Sequence, residues 1–342
     1  MKLSELGEFG LIARMAAMAR AGEGVICGIG DDCAVIESGR PGHALLVTTD
    51  LLVEGIHFDR VTTSARLLGR KALAASLSDV AAMGGVARAF TVNLAAPRDL
   101  SVDWVDALYA GMAERAQWSG TSLVGGDTSS SPAAIFLSLT LLGACPVDEV
   151  VYRRGARPGD AIFLTGRPGE SAAGLALLQA EKGGRALPGP RSDGEKAERE
   201  HLTGRHLDPE PRMTAGRRLA AAKRATAMID VSDGVAADLG HILERSDVGA
   251  RVDAPSIPVS DALRAAGSAL GLDPLRLALA GGEDYELLFT ADPDLDTAEL
   301  ARAIDLPVSR IGTITAEPGL RILGRDGRPF DLPQSGFEHF HS

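Results

Sequence analysis

The chain has only 3 cysteines among its 342 residues. Cys27, Cys33 and Cys145 form no C-x-x-C pair and leave one over, which argues against a disulfide framework and a structural zinc site. Aromatic residues make up 4%, so a core has to be built mainly from Ala, Val, Leu and Ile. No apolar run reaches the roughly 18 residues of a membrane span, and residues 1–10 open with charges rather than a secretory pattern. The expected compartment is the cytoplasm, with no membrane partner. Basic residues are outnumbered, 35 Lys+Arg against 46 Asp+Glu, for a formal net charge of −11. That balance argues against a nucleic-acid partner, because phosphate backbones want clustered Lys and Arg. It leaves small phosphorylated ligands open, provided that metal ions sit between the two sets of negative charge. The familiar phosphate loops are missing: there is no G-x-x-x-x-G-K-[ST], and Gly28-Ile29-Gly30 continues into Asp31-Asp32 rather than a third glycine. No G-x-S-x-G elbow supports a hydrolase.

What is present is a soluble, globular balance of 45% hydrophobic and 24% charged residues, with 40 glycines for tight turns and close backbone approaches. The length suits two domains of roughly 150 residues each, expected at 1–150 and 151–342. In the first, helices are expected over 6–20, 66–83 and 102–118, and strands over 44–48, 89–94 and 134–142. Gly84-Gly85 supplies a stop for the long Ala/Leu-rich helix. A boundary is expected near 153–160, where R-R-G-A-R-P-G-D gathers turn formers and charge. Beyond it come strands at 161–165, 227–231 and 285–290 and helices at 213–222 and 235–245. The Gly-, Pro- and charge-rich stretch 183–205 reads as a mobile surface loop.

The chemistry-bearing residues are aspartates at strand ends or beside glycines: Asp31-Asp32, Asp50, Asp79, Asp127, Asp230 and Asp233. Any one alone reads as readily as a turn former or N-cap. Asp79 is harder to dismiss, since its helical neighbours are almost all small or apolar and an unpaired buried carboxylate is costly. The basic residue nearest its face, Lys71, lies two turns away, so a cation is the simplest partner. Hard divalent ions such as Mg²⁺ take carboxylates together with substrate phosphates. His201 and His206 in the expected loop, and His339 and His341 near the C-terminus, read as solvent-exposed. His57 reads equally as a substrate contact or a structural hydrogen-bonder. Glu283, in G-G-E-D-Y-E-L, reads equally as a strand-mouth functional group or a solvated edge. Cys27 has no identifiable base.

Taken in order, G-I-G-D-D-C, T-T-D, L-V-E-G-I-H-F, L-S-D-V-A-A-M-G, G-G-D-T, R-x-G-A-R-P-G-D, D-V-S-D-G, G-G-E-D-Y-E-L and the terminal G-F-E-H-F resemble the thiamine-monophosphate kinases. These belong to the superfamily of aminoimidazole ribonucleotide synthetase and selenophosphate synthetase, and the resemblance covers essentially the whole chain. It implies a two-domain aminoimidazole ribonucleotide synthetase-like α/β (α+β) fold. The N-terminal sheet would pair across a homodimer into a barrel, and the C-terminal domain would cover the ATP cleft. It also implies ATP as co-substrate, several Mg²⁺ ions per site, and thiamine monophosphate as acceptor in the last step of thiamine diphosphate biosynthesis. Asp32, Thr48, Thr49, Asp50, Asp79, Asp127, Asp230 and Asp233 match metal positions. Tyr109, Gly126, Asp127, Arg153 and Ser232 match ATP contacts, and His57, Glu283 and Phe337 match substrate positions. No catalytic base is expected. The rivals are another ATP-using member of the superfamily and a non-catalytic nucleotide sensor.

Overall fold

The computed structural model describes residues 1–185 and 192–340. It holds two mixed six-stranded sheets, each covered by its own helices. The first comprises β1 (Val25–Cys27), β2 (Ala34–Glu37), β3 (His43–Val53), β4 (Val86–Ala96), β5 (Ser122–Ser130) and β6 (Phe136–Pro146), in the order β1-β2-β3-β6-β4-β5. All neighbours run antiparallel except β4 and β5. The second comprises β7 (Ala161–Thr165), β8 (Ala227–Asp230), β9 (Gly249–Asp253), β10 (Leu287–Ala291), β11 (Val308–Thr315) and β12 (Gly319–Leu323), in the order β12-β9-β11-β7-β10-β8.

The helices are α1 (Leu3–Leu6), α2 (Glu8–Met18), α3 (Ala65–Ala82), α4 (Val102–Ser119), α5 (Glu170–Lys182), α6 (Asp193–Leu207), α7 (Met213–Ala221), α8 (Val235–Ser246), α9 (Asp261–Leu270), α10 (Pro274–Ala280) and α11 (Thr297–Ile304). The expected long helix is α3, begun by Ser64, whose hydroxyl accepts from the Leu67 amide. It lies between the N-terminal sheet and the C-terminal elements α7 and β8. Its small residues make that crossing possible. A Cβ on Gly216 of α7 would stand 2.0 Å from the Ala81 carbonyl oxygen, so Gly is required there. Few polar residues in such a helix escape burial, and each buried one needs a partner. That requirement brings the functional groups together.

The expected loop at 183–205 is corrected. Residues from Asp193 onward form α6, with Ser192 accepting from the Glu195 amide as N-cap. The helix turns buried Leu202 and His206 against α5 and α3, an apolar stripe too narrow to show among so many charges. The part of the loop at 186–191 lies outside the described residues. Strand β5 was also hidden, because every one of its residues is exposed and no alternation marks it.

Candidate functional site

Strand β3 carries even-numbered residues toward α3 and odd-numbered ones to the open face, as a two-residue period requires. Thr48 and Asp50 therefore meet the helix. The Thr48 hydroxyl donates to Asp79 Oδ2, and the Ser76 hydroxyl donates to Asp50 Oδ2 at 2.5 Å. Thr49 points the other way and donates to the Leu139 carbonyl at 3.0 Å; any contribution it made to this cluster would come through its backbone.

Asp32, from the turn before β2, and Asp230, at the end of β8, complete the arrangement. Asp32, Asp79 and Asp230 each present an oxygen within 4.8 Å of the others. Arg153 donates to Asp32 Oδ1 from Nη2 at 2.5 Å and from Nε at 3.2 Å. Its backbone N–H donates to Asp31 at 3.2 Å. Oδ2 of Asp32 and Oδ2 of Asp230 are buried and find no hydrogen-bond partner among the described residues. Burial, followed by the charges of Asp50, Asp230 and Asp32, holds the Asp79 carboxyl well above its ordinary range. Burial and then Asp32 push Asp230 up to about 8. Burial likewise raises Asp32 despite Arg153, and Asp50 despite Ser76. Converging carboxylates, two with orphaned oxygens, fit a hard divalent cation.

Asp233 and Ser232 lie half-buried in the turn between β8 and α8, outside the three-carboxylate cluster. The Asp233 carboxyl is pushed up to about 6 by burial and then by Glu8. The Ser232 carbonyl accepts from the Glu283 amide at 2.7 Å. Gly126 is tied to β4 so closely that a Cβ would stand 1.9 Å from the Val92 carbonyl oxygen. Asp127 beside it is exposed on β5, where it lines a shallow hollow with Leu51, Phe136 and Ser138. It is not brought to the cluster. Tyr109 packs half-buried against the N-terminal core from α4.

The three expected substrate residues lie near one another, outside the three-carboxylate cluster. His57 Nδ1 accepts from the Val53 amide at 3.0 Å, which leaves its proton on Nε2. Burial, followed by His339, lowers its pKa. The ring of His339 lies 5.0 Å from that of His57 and 4.8 Å from that of Phe337, edge-on to the latter. Phe337 is 48% exposed, and its amide donates to the Asp233 carbonyl at 3.0 Å.

Glu283 is no solvated edge: Lys71 Nζ lies 2.7 Å from its Oε1. His206 is likewise not exposed but 5% accessible. His201 is exposed as expected and lies 3.0 Å from Glu170, and His339 is partly covered by its ring contacts. His341 lies outside the described residues. The Cys27 thiol is raised by burial and then by Asp31, which disfavours the thiolate. Sequence reasoning missed Lys71, His206 and His339 as neighbours of Glu283 and His57.

Two α/β domains, with carboxylates from both converging on one point, define the class. The family models for the N-terminal and C-terminal domains of AIR synthase related proteins match residues 30–145 and 157–325. The thiamine-monophosphate kinase of Escherichia coli K12 is 40% identical over 342 residues, covering 98% of both chains. That of Bacillus subtilis 168 is 34% identical over 339 residues, covering 98% of this chain and all of the other (100%). A solved structure of AaThiL complexed with AMPPCP and TMP matches with a TM-score of 0.84 and 33% identity, covering 99% of each chain. Within the AIR synthase related group, the chain belongs to the thiamine-monophosphate kinase family.

Proposed function

We infer that this chain is an ATP-dependent kinase converting thiamine monophosphate and ATP to thiamine diphosphate and ADP. One observation carries the reading: the likeness to AaThiL, a protein complexed with AMPPCP and TMP, extends over 99% of the chain. The acceptor is itself a phosphate, and a phosphomonoester's second pKa of about 6 leaves it largely ionised at neutral pH. No general base is then required for direct in-line transfer.

The difficulty is repulsion between two anionic phosphates in an acidic protein. Asp32, Asp79 and Asp230, with Asp50 and Thr48 behind them, are the residues that would hold Mg²⁺. Bound there, several such ions would neutralise both phosphates and the charge that develops on transfer. Asp233 and Asp127, and Thr49 through its backbone, would extend the ligand set as ATP enters. Arg153 would place its guanidinium on a phosphate. Gly126, Ser232 and Tyr109 would make the remaining ATP contacts, and His57, Glu283 and Phe337 would take thiamine monophosphate. In this reading 1–150 binds ATP and metal and dimerises, while 151–342 closes over the site.

The dimer is part of the same proposal. Strand β5 has one unpaired edge, and Leu51, Leu123, Val124 and Phe136 are exposed on the N-terminal sheet. Such an edge and apolar face call for cover by a second copy, closing a barrel. Among the described residues no helix is long and apolar enough to cross a membrane; a cytoplasmic location is part of the same proposal.

Incubation with ATP, Mg²⁺ and thiamine monophosphate should yield thiamine diphosphate and ADP in equal amounts, with unphosphorylated thiamine inert. ATP hydrolysis without thiamine diphosphate would favour another superfamily activity; binding without turnover would favour a sensor. Light scattering at micromolar concentration should give twice the chain mass, and a clean monomer would remove the barrel.

A further inference from the structure

Lys71 lies inside the fold, 1% exposed, and takes no part in the acidic cluster. A lysine is almost never buried so fully unless paired. Its Nζ lies 2.7 Å from Glu283 Oε1 and 3.5 Å from His206 Nε2. An ammonium only donates, so Nε2 accepts and the proton of the neutral imidazole sits on Nδ1. That Nδ1 lies 3.3 Å from Glu283 Oε2 and 3.2 Å from Ser171 Oγ. Both carboxylate oxygens of Glu283 are thus bracketed by groups from α3 and α6.

The backbone around Glu283 is also constrained. Glu283 and Tyr285 adopt left-handed φ values of +62° and +51°. Between them, Asp284 accepts from the amides of Gly169 at 2.6 Å and Ser171 at 3.1 Å. Non-glycine residues persist there only where their surroundings over-determine them. The Glu283 side chain nevertheless remains 27% exposed, so part of it is open to a ligand. Lys71 is too buried to meet a ligand itself.

We propose that Lys71 is a positioning residue: together with His206 it fixes the Glu283 carboxylate against the thiamine moiety, and so sets affinity for thiamine monophosphate but not for ATP. This rests on the function inferred above. The thiazolium ring of the substrate carries a permanent positive charge, and a fixed carboxylate is its electrostatic complement. A purely structural ion pair would behave differently, because buried pairs can often be exchanged for apolar groups with little loss.

Steady-state kinetics on the wild type, Lys71→Met, Glu283→Gln and the double variant test the proposal. Lys71→Met and Glu283→Gln should each raise KM for thiamine monophosphate about tenfold or more, with KM for ATP within about twofold. The double variant should be no worse than Glu283→Gln alone, as expected for two residues acting through one group. An unchanged KM for thiamine monophosphate in Lys71→Met, an equal rise in both KM values, or additive losses would each overturn it. Should Lys71→Met alone fail to fold, the double variant leaves no unpaired buried charge. Its KM for thiamine monophosphate must then equal that of Glu283→Gln, and a further tenfold rise refutes the proposal. A wild-type chain that makes no thiamine diphosphate would overturn the underlying function instead, and the wild-type control separates the two failures.

Discussion

Asp79→Asn should lower turnover at least about a hundredfold at saturating Mg²⁺ and ATP, equivalent to roughly 2.7 kcal/mol of barrier. The substitution keeps the shape of the side chain and an oxygen that can still accept from the Thr48 hydroxyl. What it removes is charge. Asp79 lies among Asp50, Asp32 and Asp230, whose charges oppose its own ionisation, so the folded chain gains nothing from that charge without a cation. If Asp79 only braced β3 against α3, the Asn variant would work nearly normally. If it holds Mg²⁺, the phosphates become under-neutralised, and the transition state suffers most because charge on the leaving oxygen develops only there. Without Mg²⁺, thermal stability should stay level or rise, one repelling carboxylate having gone. Near-normal turnover would show that Asp79 is structural.

The legibility of this site in the sequence follows from how local each signal is. Asp79 stood out because an acidic residue inside an Ala/Leu-rich helix conflicts with burial, and that conflict is visible within one turn. Asp32 and Asp230 carry no such conflict; their motifs, taken in order, marked them, and only the fold brings them within 4.8 Å of Asp79. Lys71 posed the same conflict eight residues earlier, but sequence spacing tested it only against Asp79. Its partner, Glu283, approaches from the other domain, and no helical periodicity reports such a contact. Helix α6 was lost because its solvated charges outnumber the few residues it buries. Strand β5 was lost because every one of its residues is exposed, so no alternation marks it.

The metal-free protein should lose stability as pH rises from 6.5 to 8, and Mg²⁺ should stabilise it more at pH 8 than at 6.5. Asp230 has a folded pKa of about 8 against an ordinary value of 3.8. Between those values the folded chain holds a proton that the unfolded chain releases, so stability falls with rising pH. Asp31, pushed up to about 7 by burial and then by Asp32, has the same sign. Buried histidines pull the other way. Burial lowers His206 and His241 to about 4 from 6.5, so they add stability as pH rises from about 4 and level off about a unit above 6.5. In the window from 6.5 to 8 the carboxylates therefore outweigh the small remaining histidine effect. One proton is worth up to about 1.4 kcal/mol per pH unit, or roughly 2 kcal/mol across the window, a fall in Tm of a few degrees. A cation competes with those protons for the same oxygens, so its stabilisation must grow as they leave. Thermal melts of chelator-treated protein at both pH values, with and without Mg²⁺, check this. A Tm that holds level or rises across the window would mean that the acidic cluster is already compensated within the chain. An equal Mg²⁺ effect at both pH values would mean that the ion binds elsewhere.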